Sequence, residues 1–222
     1  MSRYDDPRVP LPGSRGEHEA QQEYDTTHRA LAFYDHQVLT YLNPLMQQFI
    51  AQQEMVFVAS ADAGGECDSS FRAGAPGFVH VLDENTLALP EYRGNGVMAT
   101  IGNIRENAHI GLMFIDFYRT TVGLHVNGKV RDMGSGELLT RGGLSPALEA
   151  AATATGPLTA LIWHVVEVEE AFIHCAKHIP HLQKLEKPIH WSTDDPVFKG
   201  GDAFHAKSGE RPWLAASPPV ES

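Results

Sequence analysis

The chain has 222 residues, 42% hydrophobic and 20% charged, with a formal net charge of −11 at pH 7. That suits one large globular domain or two small ones with a proper core. The acidic balance argues against a nucleic-acid surface, which needs clustered Lys and Arg, and no apolar run reaches the ~20 residues of a membrane helix.

The first 16 residues carry three prolines and mixed charges and read as a flexible arm, with no apolar stretch of a secretory signal. A helical extension is expected over 17–52. From Thr26 onward Leu31, Tyr34, Val38 and Leu42 recur at helical spacing, and Asn43-Pro44 restarts the pattern as N-cap and first helical residue. From residue 53 the pattern changes to short β-runs: 55–62 returning through 69–74, 78–83 joined to 86–91 by Glu84-Asn85, 109–116 with 122–132, and 163–175. About seven strands with short connections favour antiparallel pairing, and a closed or nearly closed barrel would manage their edges. Helices are expected at 97–106 and 144–154, and a short helical piece near 177–186. The β domain thus spans 53–187, and 188–222 reads as an irregular tail. Cys67 and Cys175 stand outside any CxxC pattern, as two free thiols would in a reducing cytoplasm.

The segment "PEYRGNGVMATIGNIREN" (90–107) leaves a strand, turns through Arg93-Gly94-Asn95-Gly96 and enters a helix. Gly and Asn tolerate positive φ, so successive amides can converge into an anion-binding concavity. The helix start adds unpaired amides, and Arg93 offers a bidentate clamp for a phosphate. Asn103 could return to the same place. Spacing alone also allows a plain turn with Asn95 as N-cap. The segment has neither a Walker loop nor the Gly-x-Gly-x-x-Gly dinucleotide fingerprint.

The stretches "QEMVFVASAD", "GECDSSFRAGAPGFVHVLD", "LALPEYRGNGVMATIGNIRENAHIGLMFID", "GLHVNGKVRD" and "VEVEEAFIHCAKHIP" resemble, in order, the flavin-binding split-barrel family typified by pyridoxamine 5'-phosphate oxidase, and within it the bacterial flavin-nucleotide-binding branch. The resemblance covers about residues 52–182. It implies a mainly β fold with peripheral helices: a six- to seven-stranded antiparallel split barrel of the FMN-binding type, with an N-terminal helical extension. It also implies a homodimer with FMN at the subunit interface and hydride or electron transfer to a small organic substrate. Ser70, Phe71, Arg72, Ala73 and Gly74 match the strand that runs along the flavin ring. Tyr92, Arg93, Gly94 and Asn95 match the phosphate segment, with Asn103 and Lys177 as further contacts. The deazaflavin F420 is an alternative cofactor, and a flavin carrier or sensor an alternative role. The oxidase's Ser-Arg-Lys segment is replaced by "YRGNG", and its Arg-Leu-x-Pro ending is missing. Both departures argue against vitamin B6 oxidation.

His174, Cys175, His178 and His181 form the competing constellation, a haem or metal site if they converged. Asp116 and His125 read first as a strand-end turn residue and a residue of the second barrel face. No catalytic triad or paired carboxylate stands out, which suits an enzyme whose cofactor carries the chemistry.

Overall fold

A computed structural model describes residues 10–156, 159–187, 196–198 and 201–211. Three helices come first: α1 (Arg15–Glu23), α2 (Thr27–Gln37) and α3 (Pro44–Ile50). Helix α1 starts inside the stretch expected as an arm because Ser14 caps it, its hydroxyl accepting from Glu17 N at 3.2 Å. Helix α2 stops before Val38, which is extended, so the Leu31–Leu42 stripe is not one helix face. Here tertiary pairing overrides periodicity: Leu39 exchanges two backbone hydrogen bonds with Ala171, at 3.0 and 2.7 Å, and pulls the chain onto the sheet. At the next start Asn43 does cap, accepting from Met46 N at 2.9 Å, with Pro44 first in the helix.

Seven strands follow: β1 (Met55–Ala61), β2 (Cys67–Ala73), β3 (His80–Asp83), β4 (Thr86–Glu91), β5 (His109–Ile115), β6 (Gly123–Met133) and β7 (Ile162–His174). They form one sheet in the order β2-β1-β5-β6-β7-β4-β3, every neighbouring pair antiparallel. This is the antiparallel split barrel, mainly β with helices at its periphery. Alternation sends Val58, Leu89, Leu112, Phe114, Val126 and Val166 to the inner face, where they are essentially fully buried with α3 and the next helix packed against them. Each such side chain contributes about 1.5–3 kcal/mol. That next helix is α4 (Ala99–Glu106), two residues shorter at its start than expected because Met98 takes a left-handed conformation (φ 58°).

A second core lies outside the barrel. Trp163, Met133 and Val165 meet α5 (Ser135–Leu139), which periodicity did not foresee, and α6 (Pro146–Ala152), capped by Ser145. Strand β4 is therefore covered on both faces, which explains its unbroken apolar run. The expected helical piece at 177–186 is reduced to one 3-10 turn, Ala176–His178. Most of the expected tail lies outside the described residues; 206–208 form another such turn.

One irregularity positions the site. Asn127 pairs with Glu170 but Gly128 pairs with Val168, so Glu169 is an extra residue and a bulge interrupts β7. Ala171 faces inward before the bulge, and Val168 and Val166 after it. The inward set beyond Glu169 therefore continues to His164.

Candidate functional site

Strand β2 ends the sheet, so one edge pairs with β1 and the other meets no strand among the described residues. Its alternation turns Phe71 outward, half-exposed and in tilted ring contact with Phe57 at 5.6 Å. Ser70 and Arg72 point inward, the Ser70 hydroxyl donating to Asp68 at 2.7 Å. Gly74 is a glycine for a local reason: a Cβ there would lie 2.3 Å from the Phe78 ring.

The segment after β4 forms a compact turn. Gly96 N donates to the Arg93 carbonyl at 3.1 Å, and Asn95 Oδ1 accepts from Val97 N at 2.9 Å. Asn95 thus closes a turn rather than capping α4, whose N-cap is Met98 with no side-chain bond. Gly94 and Gly96 have positive φ, and a Cβ at Gly96 would meet nothing within 4 Å, so the turn leaves open space beside its backbone. Arg93 is exposed.

Arg72 joins these two pieces. One guanidinium nitrogen, Nη2, donates both to Glu91 Oε2 at 2.8 Å and to Thr100 Oγ1 at 3.0 Å. Glu91 is the last residue of β4 and Thr100 lies in the first turn of α4, so Arg72 clasps both flanks of the turn. Beyond Glu91, the fully buried His164 places Nε2 3.1 Å from the same Oε2 and Nδ1 2.7 Å from Asp132 Oδ1. The register explains this: Asp132 is the Cα partner of His164, and Glu91 sits two residues past its partner Leu89 on the same face. Burial alone pushes the His164 imidazole down, but its bonds to Asp132 and Glu91, with their charges, outweigh that and hold it above its ordinary value. Two buried atoms of this cluster have no partner among the described residues, Arg72 Nε and Asp132 Oδ2.

Two hollows flank the end of β2. A cleft of about 1320 Å³ is lined by Phe71, Ala73, Gly74, Tyr118, Lys184 and Lys187 among others. A smaller hollow of about 380 Å³ shares Ala73 and Gly74 and is walled by Phe78, His80, Tyr92 and alanines of α6. Burial pushes the His80 imidazole down and the Tyr92 phenol up, so both are neutral near pH 7.

Of the residues expected at the site, the fold gathers Ser70–Gly74 and Tyr92–Asn95, through Arg72. Asn103 is otherwise engaged, its amide donating to Ser60 Oγ at 3.0 Å and tying α4 to β1. Lys177 is exposed in the turn after β7. The competing histidines diverge. His174 Nδ1 meets His125 Nε2 at 2.9 Å, while His181 Nε2 bonds the Tyr118 carbonyl at 2.8 Å. Among the described residues no group of three or more His, Cys, Asp or Glu could hold a metal ion, so the 174–181 set forms no such metal cluster. His125 lies on the outer face, stacked on Phe172 at 4.8 Å. Asp116 organises a turn, accepting from Tyr118, Arg119 and Thr120.

A sequence model of the pyridoxamine 5'-phosphate oxidase family matches residues 42–172. The chain belongs to that family. The match runs from just before α3 almost to the end of β7 and includes every residue of the Arg72 cluster. Solved structures of similar fold include HupZ of Group A Streptococcus, 20% identical, covering 59% of this chain and 92% of that one with a TM-score of 0.45. An FMN-binding protein from Syntrophomonas wolfei is 13% identical, covering 72% and 97% with a TM-score of 0.44. The heme storage protein HutZ from Vibrio cholerae is 12% identical, covering 60% and 94% with a TM-score of 0.37. No curated protein matches the chain. Among the described residues no helix is long and apolar enough to cross a membrane.

Sequence reasoning missed Glu91, Thr100, Asp132 and His164. A signal for His164 existed: it alternates with Val166 and Val168 on an otherwise apolar face.

Proposed function

We propose that this member of the pyridoxamine 5'-phosphate oxidase family binds FMN and works as an oxidoreductase on a small organic substrate. The observation that carries the reading is the Arg72 clasp, which joins the strand suited to the ring and the turn suited to the phosphate. The donor set fits the group. The free edge of β2 offers backbone amides and carbonyls to the polar rim of a flavin, and Arg72 Nε is a buried donor with no acceptor among the described residues. The turn at Arg93-Gly94-Asn95 offers positive-φ glycines, a cation and the uncapped start of α4 to a phosphate. Tyr92 and Phe71 would give apolar contact to the ring, and Lys177 would reach the cofactor from a second copy in a homodimer. Bound there, FMN supplies hydride or electron transfer, while the chain binds, orients and excludes water. We place this work in the reducing cytoplasm, where the exposed thiols of Cys67 and Cys175 stay free.

The test is direct. The purified chain is titrated with FMN, with F420 and with haem, following flavin fluorescence and the Soret band. FMN is expected to bind at micromolar concentration or tighter, and NADPH or NADH to reduce it, with reoxidation by an added acceptor. Tighter binding of F420 or haem overturns the cofactor; bound FMN that never turns over leaves a carrier.

A further inference from the structure

On the inner face of the barrel, β2, β4, β6 and β7 bring the ionisable side chains of Arg72, Glu91, Asp132 and His164 together. Both ring nitrogens of His164 face carboxylate oxygens, at 3.1 Å to Glu91 and 2.7 Å to Asp132. A neutral imidazole has one N–H and one lone pair, so it would turn a lone pair toward one ionised carboxylate. An imidazolium donates to both. The same protonation balances charge: Arg72 and His164 against Glu91 and Asp132. With His164 neutral, the cluster would hold one uncompensated negative charge where the imidazole is fully buried and Glu91 nearly so.

We propose that His164 is a buried imidazolium that acts as a positioning residue for Arg72, and that its deprotonation releases the guanidinium and weakens the flavin site. The inference rests on the FMN reading above. The coupling runs through a shared atom. Glu91 Oε2 accepts from both His164 Nε2 and Arg72 Nη2. When His164 loses its proton, that carboxylate must find another donor or rotate. Rotation breaks the 2.8 Å bond that fixes Arg72 across the ring strand and the phosphate turn. Four groups enter this balance: Arg72 from β2, Glu91 from β4, Asp132 from β6 and Thr100 from α4. Trp163 points to the outer core and bonds Ser135 at 3.0 Å, so it takes no part.

The sign follows from the raised affinity of His164 for its proton. The stabilisation is complete below ~6.5, the ordinary histidine value, and is lost as pH rises through the higher folded value. FMN binding therefore falls on the alkaline side. Its phosphate, already ionised there, does not produce that trend.

Two measurements on the full chain test this. In the first, ¹⁵N chemical shifts of the histidine rings are followed from pH 6 to 9.5. One doubly protonated ring is expected to persist above pH 7, and to vanish from spectra of the His164→Gln variant. A neutral His164 at pH 7 overturns the proposal, whether or not any variant folds. In the second, FMN affinity is measured across the same range. The wild type is expected to weaken about tenfold as His164 titrates, the scale of one charged hydrogen bond. His164→Gln should bind weakly and without that slope. FMN binding with the same slope in both proteins overturns the positioning role and leaves the flavin reading intact. No FMN binding at any pH overturns both.

Discussion

Replacing Arg72 by methionine separates the clasp from the cradle. The change keeps most of the apolar stem and deletes the guanidinium. It removes two hydrogen bonds donated by a charged guanidinium, about 1.5–3 kcal/mol to the Glu91 carboxylate at 2.8 Å and about 1.5 kcal/mol to the neutral Thr100 hydroxyl at 3.0 Å. Against this, the buried Nε that lacks a partner disappears, returning about 1–2 kcal/mol. His164 still donates to Glu91, but two carboxylates then face one cation, so the sum of these bonds is a lower bound on the loss. The net loss is at least about 2 kcal/mol. With a urea slope of about 2–3 kcal/mol per molar for a chain of this size, the midpoint should fall by at least about 0.7–1 M. Arg93→Met is the control: Arg93 is exposed, and its stability should change by less than about 0.5 kcal/mol. Both variants should weaken FMN binding about tenfold or more. Circular dichroism gives the midpoints and flavin fluorescence the affinities. Two variants of equal stability would refute the argument, because the clasp would then hold nothing that the exposed turn does not.

Gly128→Ala should cost about 2–3 kcal/mol, since its Cβ would stand 2.1 Å from the Glu167 carbonyl oxygen and a sheet backbone must yield; a melting temperature within a degree of wild type counts against it. Burial would raise the Asp116 carboxyl, but donors from Thr120, Tyr118 and Arg119 hold it below its ordinary value. Its stabilisation is therefore present above ~4 and lost as pH falls through the lowered folded value. Asp116→Asn should narrow the stability gap between pH 6 and pH 3, read as urea midpoints; an unchanged gap would show that Asp116 does not shape the acid limb.

The strands were legible in the amino acids because most carry their own alternation, as Met55–Ala61 does, while Thr86–Glu91 reads as a short apolar run between turns. The strand order was not, since nothing local says that β4 pairs with β7. The end of α2 was hidden for the same reason. Val38 and Leu42 continue a helical spacing, and only the distant Ala171 draws Leu39 out of it. At the site, Arg72 and Arg93 could be singled out by residue type, but their connection could not, because it passes through Glu91 and Thr100 on separate elements. The histidines at 174–181 are neighbours in sequence, but among the described residues they form no metal cluster. A strand end and a following turn aim neighbouring side chains in different directions. The bulge did leave a trace: the doublet Glu169-Glu170 breaks the alternation Val166-Glu167-Val168.

That single extra residue acts as a parity switch. Counting back from Ala171 without Glu169, the odd and even positions of β7 exchange places. The indole of Trp163 would then turn into the barrel and the imidazole of His164 out toward the alanines of α6. The polar cluster thus depends on a residue well away from it, and deleting Glu169 alone would dismantle it. Among related chains, the length between Ala171 and His164 should vary far less than the identity of the residues that fill it.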